Sequence, residues 1–308
     1  MDAKEREIIV VGAGPAGLSA ALTIAYYKAD VLVLEAASAG GALINAYPWK
    51  RVDNYLGFSG KNGLEVTEEM VRHVRAEGVE IRENEPVLDI KKEGSAIRVQ
   101  TNRESYSAKA VILAIGLGMP RKLGVKGEDL EGVVYCLPDP NAYQGKRILV
   151  VGGGDTALEC AAELQKNHAQ AMIAHRRDSF RATKKNILCL EEACVRVLWN
   201  TQVSEIIGVG KVETVALKNN RDGIETIEDF DNVLIAAGTA PNTDFLGRIG
   251  VKTSENKVLV DPDMRTNIEG IFAAGDVVGK WVRIPQAIGE GGLAGLNAFK
   301  YVKNPYWK

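Results

Sequence analysis

The same local pattern occurs twice in this chain: an apolar strand runs into a glycine turn, and the turn opens a helix. The two copies are VVGAGPAGLSAA at residues 10–21 and VVGGGDTALECA at residues 150–161. In each copy, the free amides and the positive dipole end of the helix lie beside the glycines, where they can hold a pyrophosphate. The repeat therefore predicts an α/β chain with two Rossmann-like, three-layer nucleotide-binding domains.

The first copy carries a complete GxGxxG turn at Gly12, Gly14 and Gly17. The next strand is predicted at Val31 to Leu34 and leads to Glu35, 23 residues after Gly12. A carboxylate at this position can accept hydrogen bonds from both hydroxyls of an adenosine ribose. The first domain is therefore predicted to bind a dinucleotide that lacks a 2′-phosphate.

In the second copy, the corresponding position is a histidine, and three arginines follow it. An NAD site would be expected to have a carboxylate here, whereas guanidinium groups suit a ribose phosphate. The cofactor predicted for the second domain is therefore NADPH. The candidate NADPH residues are Gly152, Gly154, Asp155, Thr156, His175, Arg176, Arg177 and Arg181.

Two apolar strands, predicted at residues 108–116 and 232–242, are accompanied by glycine and proline. We interpret them as crossings between an outer domain and an inserted one, because glycine and proline absorb changes of chain direction. The predicted outer domain comprises residues 1–116 and 241–308, and the predicted inner domain comprises residues 117–240. Within the inner domain, alternating apolar and polar residues between Leu198 and Glu228 predict an antiparallel ribbon.

Three further parts of the outer domain suggest a site for a flat ring. Residues 38–62 are rich in glycine and aromatic residues, and they are not expected to form a regular element. Gly41 allows the backbone to approach a ring closely, and Tyr47 can stack on a flavin. Asp276 is placed to accept a hydrogen bond from a ribityl hydroxyl. A closing helix, predicted at residues 284–302, can direct its positive dipole end toward the flavin.

Composition and charge limit the alternatives. The 308 residues are 46% hydrophobic and carry a net charge of −2, so no nucleic-acid or membrane-surface partner is predicted. The chain has neither the run of about 18 apolar residues that a spanning helix requires nor a signal-peptide pattern. Its four cysteines include no CxxC pair, which fits a reducing compartment, and we expect a cytoplasmic protein. The three histidines have no partners at ligand spacing, so no metal site is predicted.

In this order and spacing, the motifs resemble the thioredoxin reductase superfamily of flavoproteins over essentially the whole chain. The resemblance is carried by GAGPAGLSAA, Glu35, the strand at residues 108–116, GGGDTALE, HRRDSFRA and TNIEGIFAAGDVVG. It implies FAD on the outer domain, NADPH on the inserted domain and a homodimer. The candidate FAD residues are Gly12, Gly14, Pro15, Ala16, Gly17, Glu35, Gly41, Tyr47, Asn54, Ala114, Gly116, Asp276, Gln286, Ala287 and Ile288.

The chain departs from the thioredoxin reductases at one segment. Those enzymes carry a CxxC pair followed by Asp-Gly, a fixed distance before a tyrosine that here corresponds to Tyr143. Counting back from it without a gap places Asp139 at that aspartate. Tyr135 and Pro138 then occupy the two cysteine positions, and Cys136 lies between them without a partner. This segment therefore cannot relay electrons through a dithiol.

The segments at residues 46–50 and 135–139 resemble a cysteine-free branch of the superfamily, the thioredoxin-reductase-like ferredoxin:NADP⁺ reductases. In that branch, a C-terminal extension covers one face of the flavin. Here we expect this cover to be either missing or reduced to Tyr306 and Trp307. The residues that this resemblance implies to be flavin-adjacent are Tyr47, Tyr135 and Asp139.

The resemblance predicts an FAD-dependent NADPH oxidoreductase that passes electrons through the flavin to ferredoxin, flavodoxin or a similar one-electron carrier. No protein acid or base is needed, because the cofactor carries the chemistry. One alternative is another acceptor: dioxygen, a quinone, or a disulfide reduced through Cys189 and Cys194, a pair in a stretch predicted to be helical. Another is a flavin- and NADPH-sensing protein without turnover. Basic residues that can steer an acidic carrier are Lys50, Arg51, Lys122 and Lys126.

Overall fold

The computed structural model describes residues 3–240, 243–279 and 281–304. The chain forms two compact units, one made of Met1–Gly118 with Pro241–Lys308 and the other of Met119–Ala240. Tyr306 and Trp307 lie outside the described residues. Within the described ranges, no helix is long and apolar enough to cross a membrane. The same ranges contain no group of three or more His, Cys, Asp or Glu side chains that could hold a metal ion.

The first unit is built on a seven-stranded sheet. Its strands up to the end of the first segment are β1 (Lys4–Val11), β2 (Val31–Leu34), β3 (Glu80–Arg82), β4 (Val87–Glu93), β5 (Ala96–Thr101) and β6 (Ser105–Leu113). The helices are α1 (Pro15–Tyr26), α2 (Ala42–Asn45) and α3 (Gly63–Ala76). The strand order is β3-β2-β1-β6-β5-β4. Strands β3, β2, β1 and β6 are parallel, whereas β6, β5 and β4 form an antiparallel meander.

The second unit contains a five-stranded parallel sheet with the order β11-β10-β9-β15-β8 and a three-stranded antiparallel sheet with the order β12-β13-β14. The strands are β7 (Met119–Pro120), β8 (Val133–Val134), β9 (Arg147–Val151), β10 (Gln170–His175), β11 (Arg196–Trp199), β12 (Thr201–Ile207), β13 (Thr214–Asn219), β14 (Glu225–Asp229), β15 (Asn232–Ile235) and β16 (Thr239–Ala240). The helices are α4 (Asp155–Lys166) and α5 (Lys184–Glu192).

After β16, the chain returns to the first unit. The remaining elements are α6 (Thr243–Arg248), β17 (Thr253–Ser254), β18 (Lys257–Val258), β19 (Ile271–Ala273) and α7 (Ile284–Lys303). Strand β19 pairs in parallel with the end of β6. The sheet of the first unit is therefore completed by residues from the second segment of the chain.

Strand β1 shows why this sheet is buried on both faces. Ile8 and Val10 belong to one apolar cluster, together with residues of α1 and α7. Ile9 and Val11 belong to another, together with residues of β4, β5 and α6. A continuous apolar run is what a parallel strand covered on both faces requires.

The predicted fold class is confirmed, because each unit places a glycine turn and a helix between parallel strands. The closing helix ends one residue beyond its predicted end. Residues 38–62 contain one short helix, α2, where no regular element was expected. Cys189 lies in α5, but the helical setting predicted for Cys194 is wrong: the helix ends at Glu192, and Cys194 adopts φ +54°.

Candidate functional site

The glycine turn of the first unit leaves no room for side chains. Gly12 adopts φ +102°, and a Cβ atom there would lie 2.4 Å from the carbonyl oxygen of Ala114. A Cβ atom on Gly17 would lie 1.9 Å from the carbonyl oxygen of Gly12. The turn between β1 and α1 is therefore packed directly against the end of β6, and a side chain at either glycine would clash with the backbone.

Glu35 is 8% exposed at the end of β2, and its carboxylate holds two backbone amides. Oε2 accepts a hydrogen bond from the N–H of Ala13 at 2.7 Å, and Oε1 accepts one from the N–H of Ala37 at 2.9 Å. Each oxygen has a second lone pair, so ribose hydroxyls can still donate to this carboxylate. A buried carboxylate with spare acceptor capacity fits the adenosine end of FAD.

The segment after Glu35 folds back over the glycine turn. The N–H of Gly40 donates to the carbonyl of Ala13 at 2.8 Å. A Cβ atom on Gly41 would lie 2.9 Å from the Cα atom of Gly14. The two candidate glycines therefore face each other at a separation that a larger residue at position 41 would not allow.

Tyr47 and Asn54 lie in the loop region beyond α2. The ring of Tyr47 is partly exposed and meets Trp49 edge-on, with centroids 6.4 Å apart. Asn54 is exposed. Contact of either residue with a flavin stays a prediction.

Asp276 lies in a 3₁₀ turn, Gly275–Val277, that follows β19. Burial is the main cause that raises the pKa of Asp276; Lys257 and Arg283 oppose this rise, and Glu290 adds to it. Within the described ranges, the carboxylate makes no hydrogen bond. Both oxygens are therefore available to a ligand hydroxyl, as the sequence predicts for the ribityl chain.

Two charged residues that the sequence analysis missed hold this turn. Oε2 of Glu290, a residue that is 8% exposed, accepts a hydrogen bond from the N–H of Gly275 at 2.9 Å. Nζ of Lys257 donates to the carbonyl of Asp276 at 3.0 Å. Gln286 donates to the other oxygen of Glu290, one helical turn away. An acidic residue on the buried side of the closing helix was the signal that could have revealed Glu290.

The start of α7 packs on α1 beside the glycine turn. The hydroxyl of Ser19 donates to the carbonyl of Ile288 at 2.8 Å. A Cβ atom on Gly275 would lie 2.7 Å from Cβ of Ala16 and 3.7 Å from Cβ of Ala287. Candidate residues from α1, from the Asp276 turn and from α7 therefore meet within one unit. Of the remaining candidates, Pro15 opens α1 and Gly116 follows β6 at φ +67°.

His175 lies beneath the glycine turn of the second unit. It is 7% exposed, and a Cβ atom on Gly153 would lie 2.2 to 2.6 Å from its ring atoms. Its Nε2 lies 3.0 Å from the carbonyl oxygen of Ser179. Burial lowers the pKa of His175; the hydrogen bond to Ser179 opposes this, and the three neighbouring arginines lower the pKa further. The uncharged ring supports the turn and adds no fourth cation to the site.

The three arginines that follow His175 have unpaired guanidinium groups within the described part of the chain. Arg176 and Arg181 are exposed, and Arg177 is half-buried. A Cβ atom on Gly154 would meet nothing within 4 Å, so the start of α4 is open. Unpaired cations beside an open helix start fit the pyrophosphate and the 2′-phosphate of NADPH.

Asp155 joins the starts of two helices. Its Oδ1 accepts hydrogen bonds from the N–H of Thr183 at 2.7 Å and from Nδ2 of Asn186 at 2.8 Å. These contacts tie α4 to α5. Thr156 is partly exposed in the same first turn. Direct contact of either candidate with NADPH stays a prediction.

Tyr135 is held by a carboxylate that the sequence analysis missed. Its hydroxyl donates to Oε1 of Glu128 at 2.8 Å, and burial raises the pKa of Tyr135. Glu128 also accepts hydrogen bonds from the N–H groups of Leu123 and Gly124, both at 2.7 Å. Tyr135 therefore orders the loop before β8, and its predicted position beside the flavin is untested.

Asp139 and Cys136 do not form a redox group. Oδ1 of Asp139 accepts a hydrogen bond from the N–H of Asn141 at 3.0 Å and caps the 3₁₀ helix Pro140–Tyr143. Cys136 is half-buried, and burial raises the pKa of its thiol. All four cysteines are free thiols.

Each unit has a glycine turn between parallel strands, with the carboxylate of Glu35 beside the turn in the first unit and Arg181 beside it in the second. This arrangement is typical of a class of protein, the two-domain dinucleotide-dependent oxidoreductases. Residues 6–291 match the model of the pyridine nucleotide-disulphide oxidoreductase family, and the chain belongs to this family. The protein is accordingly an FAD-dependent NADPH oxidoreductase, and the predicted resemblance to the thioredoxin reductases is confirmed.

The similar proteins carry two names. A ferredoxin–NADP reductase of Ignicoccus hospitalis is 40% identical over 98% of this chain and 100% of its own length. A thioredoxin reductase of Listeria innocua is 38% identical over 96% of this chain and 94% of its own length. The crystal structure of Lactococcus lactis thioredoxin reductase matches with a TM-score of 0.88 and 33% identity, covering 97% of this chain and 99% of that protein.

Proposed function

We propose that the chain is an NADPH:ferredoxin reductase, which passes electrons from NADPH through FAD to ferredoxin or a similar one-electron carrier. The segment at residues 135–139 carries this proposal. Tyr135 and Pro138 stand where a dithiol relay would need cysteines, and the pKa of Cys136 is raised by burial. A thiol that stays protonated is a poor nucleophile. The 40% identity to the Ignicoccus hospitalis protein named ferredoxin–NADP reductase supports the same acceptor.

FAD is assigned to the first unit in this proposal. The carboxylate of Glu35 would hold the adenosine ribose, and the backbone amides at the start of α1 would hold the pyrophosphate. Asp276 would accept a hydrogen bond from a ribityl hydroxyl, and Tyr47 would stack on the ring. The positive dipole end of α7 would stabilise negative charge on the reduced ring.

NADPH is assigned to the second unit. Arg176, Arg177 and Arg181 would bind the 2′-phosphate through charge-assisted hydrogen bonds, and the open helix start at Gly154 would receive the pyrophosphate. Bound FAD supplies the change from two-electron hydride transfer to single-electron transfer. No side chain then has to donate or accept a proton during turnover, because the protein contributes binding and orientation.

Lys50 and Arg51 are proposed to attract the acidic surface of the carrier. The Arg51 side chain is 71% exposed, with Nε 3.7 Å from Asp53. Lys122 and Lys126 are the weaker candidates, and they form ion pairs with carboxylates at 3.1 and 2.7 Å respectively. An opposing charge nearby, including Asp53 beside Arg51, offsets part of the long-range field of each cation.

A cytoplasmic homodimer is part of the same proposal. The homodimer follows from the family resemblance, and the cytoplasm fits the absence of a CxxC pair among the four cysteines. Light scattering of the FAD-loaded protein measures the number of subunits. A monomer at all accessible concentrations would contradict the homodimer without affecting the proposed acceptor.

The acceptor is tested by mixing the FAD-loaded protein with NADPH under anaerobic conditions and then adding oxidised ferredoxin. We expect NADPH to bleach the visible flavin absorbance and ferredoxin to restore it, with steady turnover when cytochrome c removes electrons from ferredoxin. Thioredoxin, a low-molecular-weight disulfide, a quinone and dioxygen are tested in parallel. Rapid bleaching without ferredoxin-dependent turnover would overturn the proposal, and faster reduction of a disulfide would favour a thiol reductase.

A further inference from the structure

The loop at residues 176–181, here called the arginine loop, is fixed from the side of the glycine turn. The N–H of Arg181 donates to the carbonyl of Gly153 at 2.8 Å. The ring of His175 lies against Gly153 and reaches the carbonyl of Ser179. These contacts place the arginines relative to the pyrophosphate end of the proposed NADPH site.

The other side of the arginine loop is fixed by the three-stranded sheet. The N–H of Asn200 donates to the carbonyl of Arg177 at 3.0 Å. Nδ2 of Asn220 donates to the carbonyl of Arg176 at 3.2 Å, and the N–H of Asn220 bonds to the carbonyl of Asn200 at 2.6 Å. The turn between β13 and β14 therefore contacts the backbone of the arginine loop directly.

The same turn neutralises the one carboxylate of the arginine loop. A guanidinium nitrogen of Arg221 lies 2.7 Å from Oδ2 of Asp178, and both side chains are about two-thirds exposed, at 66% and 64%. Asp178 lies between Arg177 and Arg181 in sequence. Without Arg221, this loop would present an unpaired negative charge close to the group that has to bind a phosphate dianion.

We propose that Asn220 and Arg221 are specificity-determining residues of the NADPH site. Asn220 positions Arg176 through its backbone carbonyl, and Arg221 masks the carboxylate of Asp178, which would otherwise repel the 2′-phosphate. The inference rests on the proposed assignment of NADPH to this unit. Asn220 lies 44 positions from its partner Arg176, and Arg221 lies 43 positions from its partner Asp178. Both residues lie outside the glycine turn and the arginine loop.

The test is the binding of two adenosine nucleotides to the FAD-loaded protein, measured by calorimetry. Adenosine 2′,5′-bisphosphate carries the 2′-phosphate, and 5′-AMP lacks it. Arg221→Ala should weaken binding of the bisphosphate by about three- to fivefold, as expected for loss of an exposed charge pair, and leave binding of 5′-AMP unchanged. Asn220→Ala should weaken binding of the bisphosphate by about threefold or more, through loss of one hydrogen bond. A substitution that only disturbs the structure would weaken binding of both nucleotides equally.

Lys218→Ala is the matched control. Lys218 lies on β13 and pairs with Glu225 at 3.7 Å, so its removal changes the net charge as Arg221→Ala does without touching the arginine loop. We expect unchanged binding of both nucleotides. If Lys218→Ala weakened binding of the bisphosphate as much as Arg221→Ala, the change in net charge alone would explain the effect, and the specific role of Arg221 would be overturned.

The double variant Asp178→Ala with Arg221→Ala separates masking from direct contact. Restored binding of the bisphosphate supports masking. Binding as weak as in Arg221→Ala alone overturns masking, because Arg221 would then act on the phosphate itself.

Failure of the assignment of NADPH to this unit gives a different result. In that case, the unmodified protein would bind the bisphosphate no more tightly than 5′-AMP. If the unmodified protein prefers the bisphosphate but neither single variant changes its binding, the roles of Asn220 and Arg221 are overturned and the assignment of NADPH stands.

Discussion

In each unit, the residue at the end of the second strand, or directly after it, supports the middle residue of the glycine turn, by different means. In the first unit, Glu35 accepts a hydrogen bond from the N–H of Ala13. In the second, His175 packs its ring on Gly153 so closely that no Cβ atom fits. The residue after the second strand and the middle residue of the turn are thus coupled. The imidazole ring of His175 requires glycine at position 153, whereas the carboxylate of Glu35 tolerates Ala13.

At the residue scale, Cys136→Ser should leave ferredoxin-dependent turnover unchanged. The thiol is half-buried, and burial raises its pKa, so little thiolate forms near neutral pH. Stopped-flow reduction by NADPH and steady-state turnover measure the effect. Alkylation gives an internal comparison, because the exposed Cys194 should react faster than Cys136. Loss of turnover in the serine variant, with flavin reduction intact, would require a thiol mechanism.

At the element scale, the sequence predicted most of the framework and few of the supporting contacts. Strand β2 and helix α7 were placed to within a residue, because an apolar run and a glycine turn are local signals. The position of Glu35 beside the glycine turn was predicted for the same reason, since its distance from the turn is fixed by one strand and one helix. Its contact with a cofactor stays a prediction. Glu290 and Arg221 were missed because their partners are distant in sequence, and only the tertiary fold brings the pairs together.

The packing of α1 on α7 gives an element-scale prediction. A Cβ atom on Gly291 would lie 2.1 Å from the carbonyl oxygen of Ala16, beside the first glycine turn. Gly291→Ala should force the helices apart and lower the free energy of unfolding by about 1–3 kcal/mol, the usual cost of overpacking. FAD retention should fall as well, because Ala16 lies in the first turn of α1. Denaturant titration and the ratio of flavin to protein measure the two effects.

Gly289→Ala is the control within the same helix. A Cβ atom on Gly289 would meet nothing within 4 Å, so this substitution gains helix propensity without a clash. We expect equal or slightly greater stability and unchanged FAD retention. Equal destabilisation by both substitutions would mean that the close approach of the two helices has no special role.

At the scale of the whole molecule, ion pairs connect distant parts of the first segment with one another and with the end of the chain. Nζ of Lys4 lies 2.6 Å from Glu104, and Arg82 lies 2.7 Å from the same carboxylate. Lys303, at the end of α7, lies 3.1 Å from Glu7 in β1. These pairs are exposed to solvent, which screens them, so their main consequence is for the dependence of stability on pH.

Glu104 gives the sharpest pH dependence among these groups. The hydrogen bond from Lys4 is the main cause that lowers its pKa from 4.5 to about 2, followed by the hydrogen bond from Tyr106. Because the pKa is lower in the folded state, the stabilisation is fully present above the unfolded value of 4.5 and is lost as the pH falls toward 2. The difference in free energy of unfolding between the unmodified protein and Glu104→Gln should therefore shrink over this interval.

Urea titrations at a series of pH values between these limits measure that difference. Glu68→Gln serves as the reference, because Glu68 is an exposed residue of α3 that makes no ion pair within the described ranges. If the difference for Glu104→Gln varied with pH no more than that for Glu68→Gln, the Glu104 carboxylate would be equally protonated in the folded and unfolded chains. The contacts with Lys4, Arg82 and Tyr106 would then not persist in solution.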